Sequence, residues 1–408
     1  MVMEELHEWT ADANKALSVT LVRSAQDALS VIDEDPEARA LLPFNPAFTY
    51  PIFGEKEKIY GYKGLQVEVN MVSGSLKQYL NVTYDEKLES QADDIEGTLF
   101  KFIPSDYTKS AEIFADTVAK DAESFVPPGT QIASYRSADD EEDDVEYGVW
   151  HCKWDTPGFR EFHRRAQLFV LLYIEGGSYI QEDEDQWEFL ILFEIRPHDT
   201  APTGASYHFA GYVSAYPFWC YPDMVRMRLS QFVILPPFQG QGHGSQLYNT
   251  LYDYASTLEK VAELTVEDPS EAFEDLRDRC DLVRLKEQLK DSKEMAKGAP
   301  VDKKWLEKIR TEGKYATRQF LRLIEMLLLE RLKTNRSPER YKAYRLQVKE
   351  RLFRFNYEIL AQISPDERRE KLAETYKNVE EDYKRILNSL RPVEQDLWEW
   401  IETPQQGT

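Results

Sequence analysis

Along this chain the hydrophobic pattern changes period, from stretches that alternate every second residue to stretches with helical spacing. Residues 10–32 read as helical, whereas Tyr60-Gly-Tyr-Lys-Gly-Leu-Gln-Val-Glu-Val-Asn70 alternates as a strand does. Between about 147 and 268, the runs 168–174, 188–194, 208–216 and 226–235 are rich in β-branched and aromatic residues and bounded by Gly, Pro and Asp. They predict consecutive strands of one sheet. From Ala272 the spacing becomes helical. Phe320, Leu323, Ile324, Leu327, Leu328 and Leu332 share one face, and long charged helical segments follow at 338–362 and 365–390. Ser337-Pro-Glu and Ser364-Pro-Asp have the form of helix starts, with Ser at the cap and Pro in the first turn. The expected class is α+β: an α/β amino-terminal domain at 1–130, a mixed sheet flanked by helices at 131–270, and a helical carboxy-terminal domain at 271–408.

Charge sharpens this picture. The formal net charge is -23, and it is unevenly spread. Residues 281–408 carry 28 Lys and Arg against 23 Asp and Glu, while the first 280 carry 22 against 50, a balance of -28. Such a field attracts a basic partner and repels nucleic acid, which is bound through cations that displace condensed counterions. The run Asp139-Asp-Glu-Glu-Asp-Asp144 reads as a solvated surface loop. Cys152, Cys220 and Cys280 are widely spaced and odd in number, so a secreted disulfide framework is not expected, and no His or Cys cluster has metal-ligand spacing. The first residues lack the basic and apolar regions of a signal peptide, and no apolar run reaches the length of a membrane span. A soluble intracellular protein without membrane contact is expected.

The most informative segment begins at Gln231. A strand ends near Leu235, Pro236 and Pro237 stop it, three glycines fall within 240–244, and a helix begins with Leu247, Leu251 and Ala255 on one face. In such a strand, loop, helix unit the glycines let successive N–H groups converge on an anion at the positive end of the helix. A Rossmann register from Gly240 meets Ser245 where the third Gly belongs, and a Walker loop needs Gly-Lys-Ser/Thr where this chain has Gly-His-Gly-Ser. Neither nucleotide motif fits. Gln239-Gly240-Gln241-Gly242-His243-Gly244 does fit Gln/Arg-x-x-Gly-x-Gly/Ala, and so resembles the pyrophosphate loop of the GNAT acetyltransferases.

The resemblance extends to a narrower family. Residues 230–245, Leu264-Thr-Val-Glu-Asp-Pro-Ser270 and Tyr60-Gly-Tyr-Lys-Gly64 are similar to the catalytic subunits of type B histone acetyltransferases. It implies a mixed GNAT-type sheet, acetyl-CoA as cosubstrate without a metal, and the amino-terminal tail of newly made histone H4 as substrate. It also implies a histone-binding β-propeller subunit as partner, with residence in cytoplasm and nucleus. Carried over by position, Gln239, Gly240, Gln241, Gly242, His243, Gly244 and Ser245 hold the cofactor. Backbone groups of Phe232, Val233 and Ile234 bind its pantetheine arm and polarise the thioester, and Trp187, Tyr216, Pro217, Phe218, Glu55 and Glu57 contact the tail.

Acetyl transfer needs a neutral amine, and lysine ordinarily titrates near 10.4, so a base must take a proton. Asp268 reads as the N-cap of a helix opened by Pro269, with Glu271 at its third position, although it remains a catalytic candidate beside its neighbour. Glu267, the last residue of the strand, has no capping duty and is the expected general base, where partial burial would tune it. The family resemblance places the catalytic glutamate at Glu267 too. No nucleophilic triad is needed, because the amine attacks the thioester directly. His243 is expected to pack or touch cofactor. The alternative reading is a catalytically silent acetyl-CoA-binding scaffold or histone escort, in which the acidic surface does the main job.

Overall fold

The computed structural model describes residues 8–34, 41–136, 145–334 and 337–390; the acidic run 139–144 lies outside them. The chain divides into two compact units, Met1–Pro217 with Leu229–Thr250, and Phe218–Arg228 with Leu251–Thr408. Among the described residues no helix is long and apolar enough to cross a membrane.

In the first unit, β1 (Leu17–Val22) is followed by α1 (Ala25–Glu34) and pairs in parallel with β2 (Gln66–Val72), which pairs antiparallel with β3 (Gln78–Thr83). The helix expected over 10–32 is therefore interrupted by a strand. Leu17, Val19 and Leu21 are at most 1% exposed and alternate with half-buried Ser18, Thr20 and Val22, a period of two that only a sheet satisfies. The strand expected over 60–70 is broken too, because Gly61 and Gly64 have φ of 96° and 60° and leave only short pieces before β2. Helix α2 (Ala111–Ser124) buries Phe114 and Val118 against Val72, Val22 and Tyr79.

A second sheet follows. It contains β4 (Thr130–Tyr135), β5 (Glu146–Cys152), β6 (Glu188–Pro197), β7 (Ala205–Cys220) and β8 (Met224–Ile234), neighbours in that order. Between β5 and β6 lie α3 (Phe159–Ala166) and α4 (Leu168–Tyr173). The strand expected at 168–174 is thus α4. Leu168 to Leu172 are all at most 5% exposed, and a run buried on every side has no period to distinguish strand from helix. The β6–β7 register shifts at Leu192/Phe193, where Ala210 is the additional residue of β7, and its carbonyl accepts the Leu235 N–H at 2.9 Å. This anchors the end of β8, where the glycine loop starts. Next to the bulge a Cβ on Gly211 would come within 2.3 Å of the Val233 carbonyl, so only glycine allows β7 and β8 to approach there.

The second unit holds the end of β7 and the start of β8. After α5 (His243–Thr257), whose second half belongs to this unit, β9 (Val261–Val266) runs parallel to the start of β8; Val225 N–H donates to Lys260 O at 2.8 Å and Thr265 Oγ1 to Met227 O at 3.3 Å. The longest helices of this unit are α6 (Glu271–Leu289), α7 (Thr317–Thr334), α8 (Pro338–Phe355) and α9 (Pro365–Ser389). The predicted α7 face is the buried one: Phe320, Leu323, Ile324, Leu327 and Leu328 are at most 3% exposed. Both predicted caps form. Ser337 Oγ accepts from Arg340 N–H at 3.2 Å, and Ser364 with Glu367 makes a complete capping box.

Candidate active site

The glycine loop lies wholly in the first unit and begins where Pro236–Phe238 form a 3-10 turn that buries Pro237 and Phe238. Gly240 and Gly242 have φ of 81° and 82°, and no atom lies within 4 Å of where a Cβ would stand. Backbone conformation, not space, requires glycine at both positions. Gln239 Nε2 donates back to the Ile234 carbonyl at 2.8 Å and Gln241 Nε2 to the Pro237 carbonyl at 3.0 Å, so both side chains fold onto their own turn. Residues Gln239 to Gly242 are exposed, while Gly244 and Ser245 are half-buried in the first turn of α5. That turn presents the positive end of a helix of 15 residues. Upstream, Val233 is buried, and Phe232 and Ile234 are half-buried on the opposite face of β8.

His243 is 1% exposed. Its Nδ1 lies 2.9 Å from the Tyr135 hydroxyl and its Nε2 3.1 Å from Gln241 Oε1, and its ring packs 4.1 Å from that of Tyr147. Burial pushes this imidazole down to about 4, so it is neutral at physiological pH. Tyr135 and Tyr147 had no sequence signal as site residues. Their register partnership across β4 and β5 could have been found only by recognising those two strands, which flank the acidic run.

Of the aromatic candidates, Trp187 and Tyr216 meet, rings 5.0 Å apart and edge-on, with Trp187 Nε1 donating to Glu184 at 3.2 Å. Pro217 is half-buried and ends the first segment of the first unit. Glu55 is exposed. Glu57 also has a structural task. At φ 50°, its carboxylate accepts the N–H groups of Thr49 at 2.7 Å and Tyr50 at 3.2 Å, and the Asn14 amide at 2.9 Å. The Thr49 N–H contributes most to holding that carboxyl below its usual range.

In the second unit, Phe218 is 40% exposed, and the Arg228 guanidinium lies 4.3 Å from its ring centre and 4.0 Å from the Glu267 carboxylate. The partial burial expected of Glu267 is absent. Its side chain is 48% accessible, because it lies one residue past the end of β9. The expected cap at Asp268 is also corrected. Ser270 is the N-cap of α6, its Oγ accepting from Phe273 N–H at 3.3 Å, and Asp268 adopts φ 34°. A short hydroxyl one residue before Glu271 reaches the third N–H of the helix, and Pro269 spaces Asp268 too far upstream to do so.

Family comparisons agree with this geometry. Residues 9–175 match the profile described as histone acetyl transferase HAT1 N-terminus, 159–276 the acetyltransferase (GNAT) family, and 278–333 fungal HAT1, C-terminal. Three curated relatives bear the name histone acetyltransferase type B catalytic subunit. That of Cryptococcus neoformans var. neoformans serotype D (strain JEC21) is 52% identical, covering 94% of this chain and 98% of its own. That of Mycosarcoma maydis is 43% identical over 92% and 87%, and that of Aspergillus oryzae 32% identical over 96% and 88%. Among solved structures, an aminoglycoside acetyltransferase from a soil metagenome covers 30% of this chain and 78% of its own at 11% identity, with a TM-score of 0.22, too low to carry an argument. An enzyme, not a silent scaffold, is what the sequence and these relatives describe: the chain belongs to the family of type B histone acetyltransferase catalytic subunits and is an acetyl-CoA-dependent histone acetyltransferase.

Proposed function

We propose that the enzyme transfers the acetyl group of acetyl-CoA directly to a lysine side-chain amine in the amino-terminal tail of newly synthesised histone H4, with Glu267 as general base. The observation that carries this reading is the conformation at the end of β9. Asp268 is held at φ 34° without serving as a cap, and Glu267 before it projects an accessible carboxylate. Backbone strain with no local structural use is characteristic of functional positions. The Gln239–Gly244 loop takes the cofactor pyrophosphate, Phe232, Val233 and Ile234 the pantetheine arm, and Asp268 supports the base. The Trp187–Tyr216 pair suits the aliphatic stem and charge of a lysine, and the -28 balance of the first 280 residues suits a basic tail.

Acetyl-CoA turnover on an H4-tail peptide tests the assignment. Glu267→Gln should lower kcat by about 10²- to 10⁴-fold while acetyl-CoA still binds; a variant with full rate across pH removes Glu267 from the mechanism. The same assay with spermine, or with a peptide whose only free amine is its amino terminus, should give far less turnover. A histone-binding β-propeller subunit as partner, and residence in both cytoplasm and nucleus, follow from the family resemblance. Co-expression with size-exclusion chromatography and imaging of the tagged chain test them.

A further inference from the structure

A loop built on two glycines at φ near 80° is intrinsically mobile, since glycine has the most conformational freedom to lose. Left alone, it would be ordered by its ligand at a cost in affinity. Here it is tied down without one. Gln241 Nε2 must be the donor to the Pro237 carbonyl, so Oε1 of the same amide is an acceptor and faces His243 Nε2. That nitrogen therefore carries the imidazole proton, and Nδ1 is left to accept from the Tyr135 hydroxyl. All three bonds point one way: Tyr135 O–H to His243, His243 N–H to Gln241, Gln241 N–H to Pro237. Every polar atom of the imidazole is satisfied by one neutral tautomer, and its burial between aromatic rings keeps it neutral.

The far end of this chain is fixed by the sheet. Tyr135 and Tyr147 are opposite residues of the antiparallel β4–β5 pair, their rings stacked 5.5 Å apart at 16°, with the Tyr147 ring against the imidazole. Phe238 closes another side at 6.2 Å. The bonds end on side and main chains of the loop and its lead-in turn, so what they hold is the loop's shape.

From this we infer that Tyr135 and Tyr147 are positioning residues for acetyl-CoA, acting through His243 and Gln241 to hold the Gln239–Gly244 loop in its ligand-ready shape before the cofactor arrives. The inference rests on the reading of that loop as the pyrophosphate site. It deepens that reading by placing part of the cofactor affinity on the β4–β5 pair, distant in sequence from the loop.

Tyr135→Phe removes one hydroxyl and keeps the ring stack. Expected is a rise of about fivefold in KM and Kd for acetyl-CoA, the size of one net hydrogen bond, with kcat and the KM for histone peptide within twofold of wild type. Gln241→Leu, at an exposed position where folding is not at stake, cuts the same chain at its middle and should likewise weaken acetyl-CoA binding. The double variant should lose no more than the worse single one, because both break one series of bonds. A Tyr135→Phe enzyme with unchanged acetyl-CoA affinity, a loss confined to kcat, or fully multiplicative losses in the double variant would overturn the inference. Gly242→Val separates this from failure of the underlying reading. If it leaves acetyl-CoA binding intact, the loop is not the site and the inference falls with it. If it abolishes binding while Tyr135→Phe does nothing, the loop is the site and only the brace is wrong.

Discussion

His163 in α3 is 2% exposed, and among the described residues neither ring nitrogen has a hydrogen-bond partner. It is packed between Trp154, Phe159, Phe189 and Tyr212, and burial pushes it down to about 3. Two unsatisfied buried polar atoms are a standing cost, so His163→Phe, close in shape, should stabilise the protein by about 1–2 kcal/mol in denaturant titrations. An unchanged or lower midpoint would mean that those nitrogens are satisfied in solution. Glu57 gives the opposite sign. It closes the turn that begins at Thr49, so Glu57→Ala should lower stability by about 1–2 kcal/mol whatever it does to substrate binding. Because its carboxyl is held low, this contribution is present above the ordinary carboxylate range and fades as pH falls through it.

At the scale of elements, the first unit is joined by a buried charge network. Arg23, just after β1, donates to Glu194 of β6 at 2.6 and 3.2 Å, and Arg196 donates to the same carboxylate. Burial alone would raise the Glu194 carboxyl, but the guanidinium groups of Arg23 and Arg196 outweigh it and hold it well below the usual range. Close by, His208 of β7 bridges Ser73 and Ser206, and Ser206 donates to Asp27 of α1. The small sheet and the larger one are thus stitched by groups that have left water together. Removing one partner strands the other, so Arg23→Met should cost about 3–5 kcal/mol, whereas Lys58→Met, which breaks the exposed pair with Asp12, should cost less than about 1 kcal/mol. Equal effects in a melting experiment would show that water reaches the Glu194 site.

At the scale of the molecule, two consequences of charge are measurable. With 73 acidic and 50 basic side chains, the enzyme should capture a basic tail by long-range attraction, so kcat/KM on such a peptide should fall several-fold between about 50 and 300 mM salt with kcat little changed. A rate insensitive to salt would confine recognition to contacts. The second concerns acid. His163, His208 and His243 are all buried and neutral, each with its affinity for protons depressed by burial first. In the unfolded chain they titrate near 6.5, so below that pH the unfolded state binds more protons than the folded one and stability falls. For His243 the loss accumulates between about pH 6.5 and 4 and amounts to about 3 kcal/mol. Unfolding free energies measured across that window should decline, and less steeply in His163→Phe.

The sequence by itself determined the features that depend on neighbours along the chain. The strands at 188–194, 208–216 and 226–235, the glycine loop, the α7 face and the Ser337 and Ser364 caps are set by period, φ requirements and short-range hydrogen bonds, and all are where the pattern puts them. Ser270 is within the same reach, but Pro269, of a residue type that favours the first helical position, also suits a cap at Asp268. What only the tertiary structure decided is everything set by surroundings. The run 168–173 is a helix that its pattern could not tell from a strand, because 168–172 are buried on all sides, and β1 is a strand because β2 lies beside it. Glu57 is a structural carboxylate because Asn14, Thr49 and Tyr50 converge on it, and His243 is a neutral link because Tyr135, 108 residues away, meets it. Spacing along a chain fixes local geometry, whereas burial and partners come from elements that meet only on folding, and these control the charge and the mobility of a site.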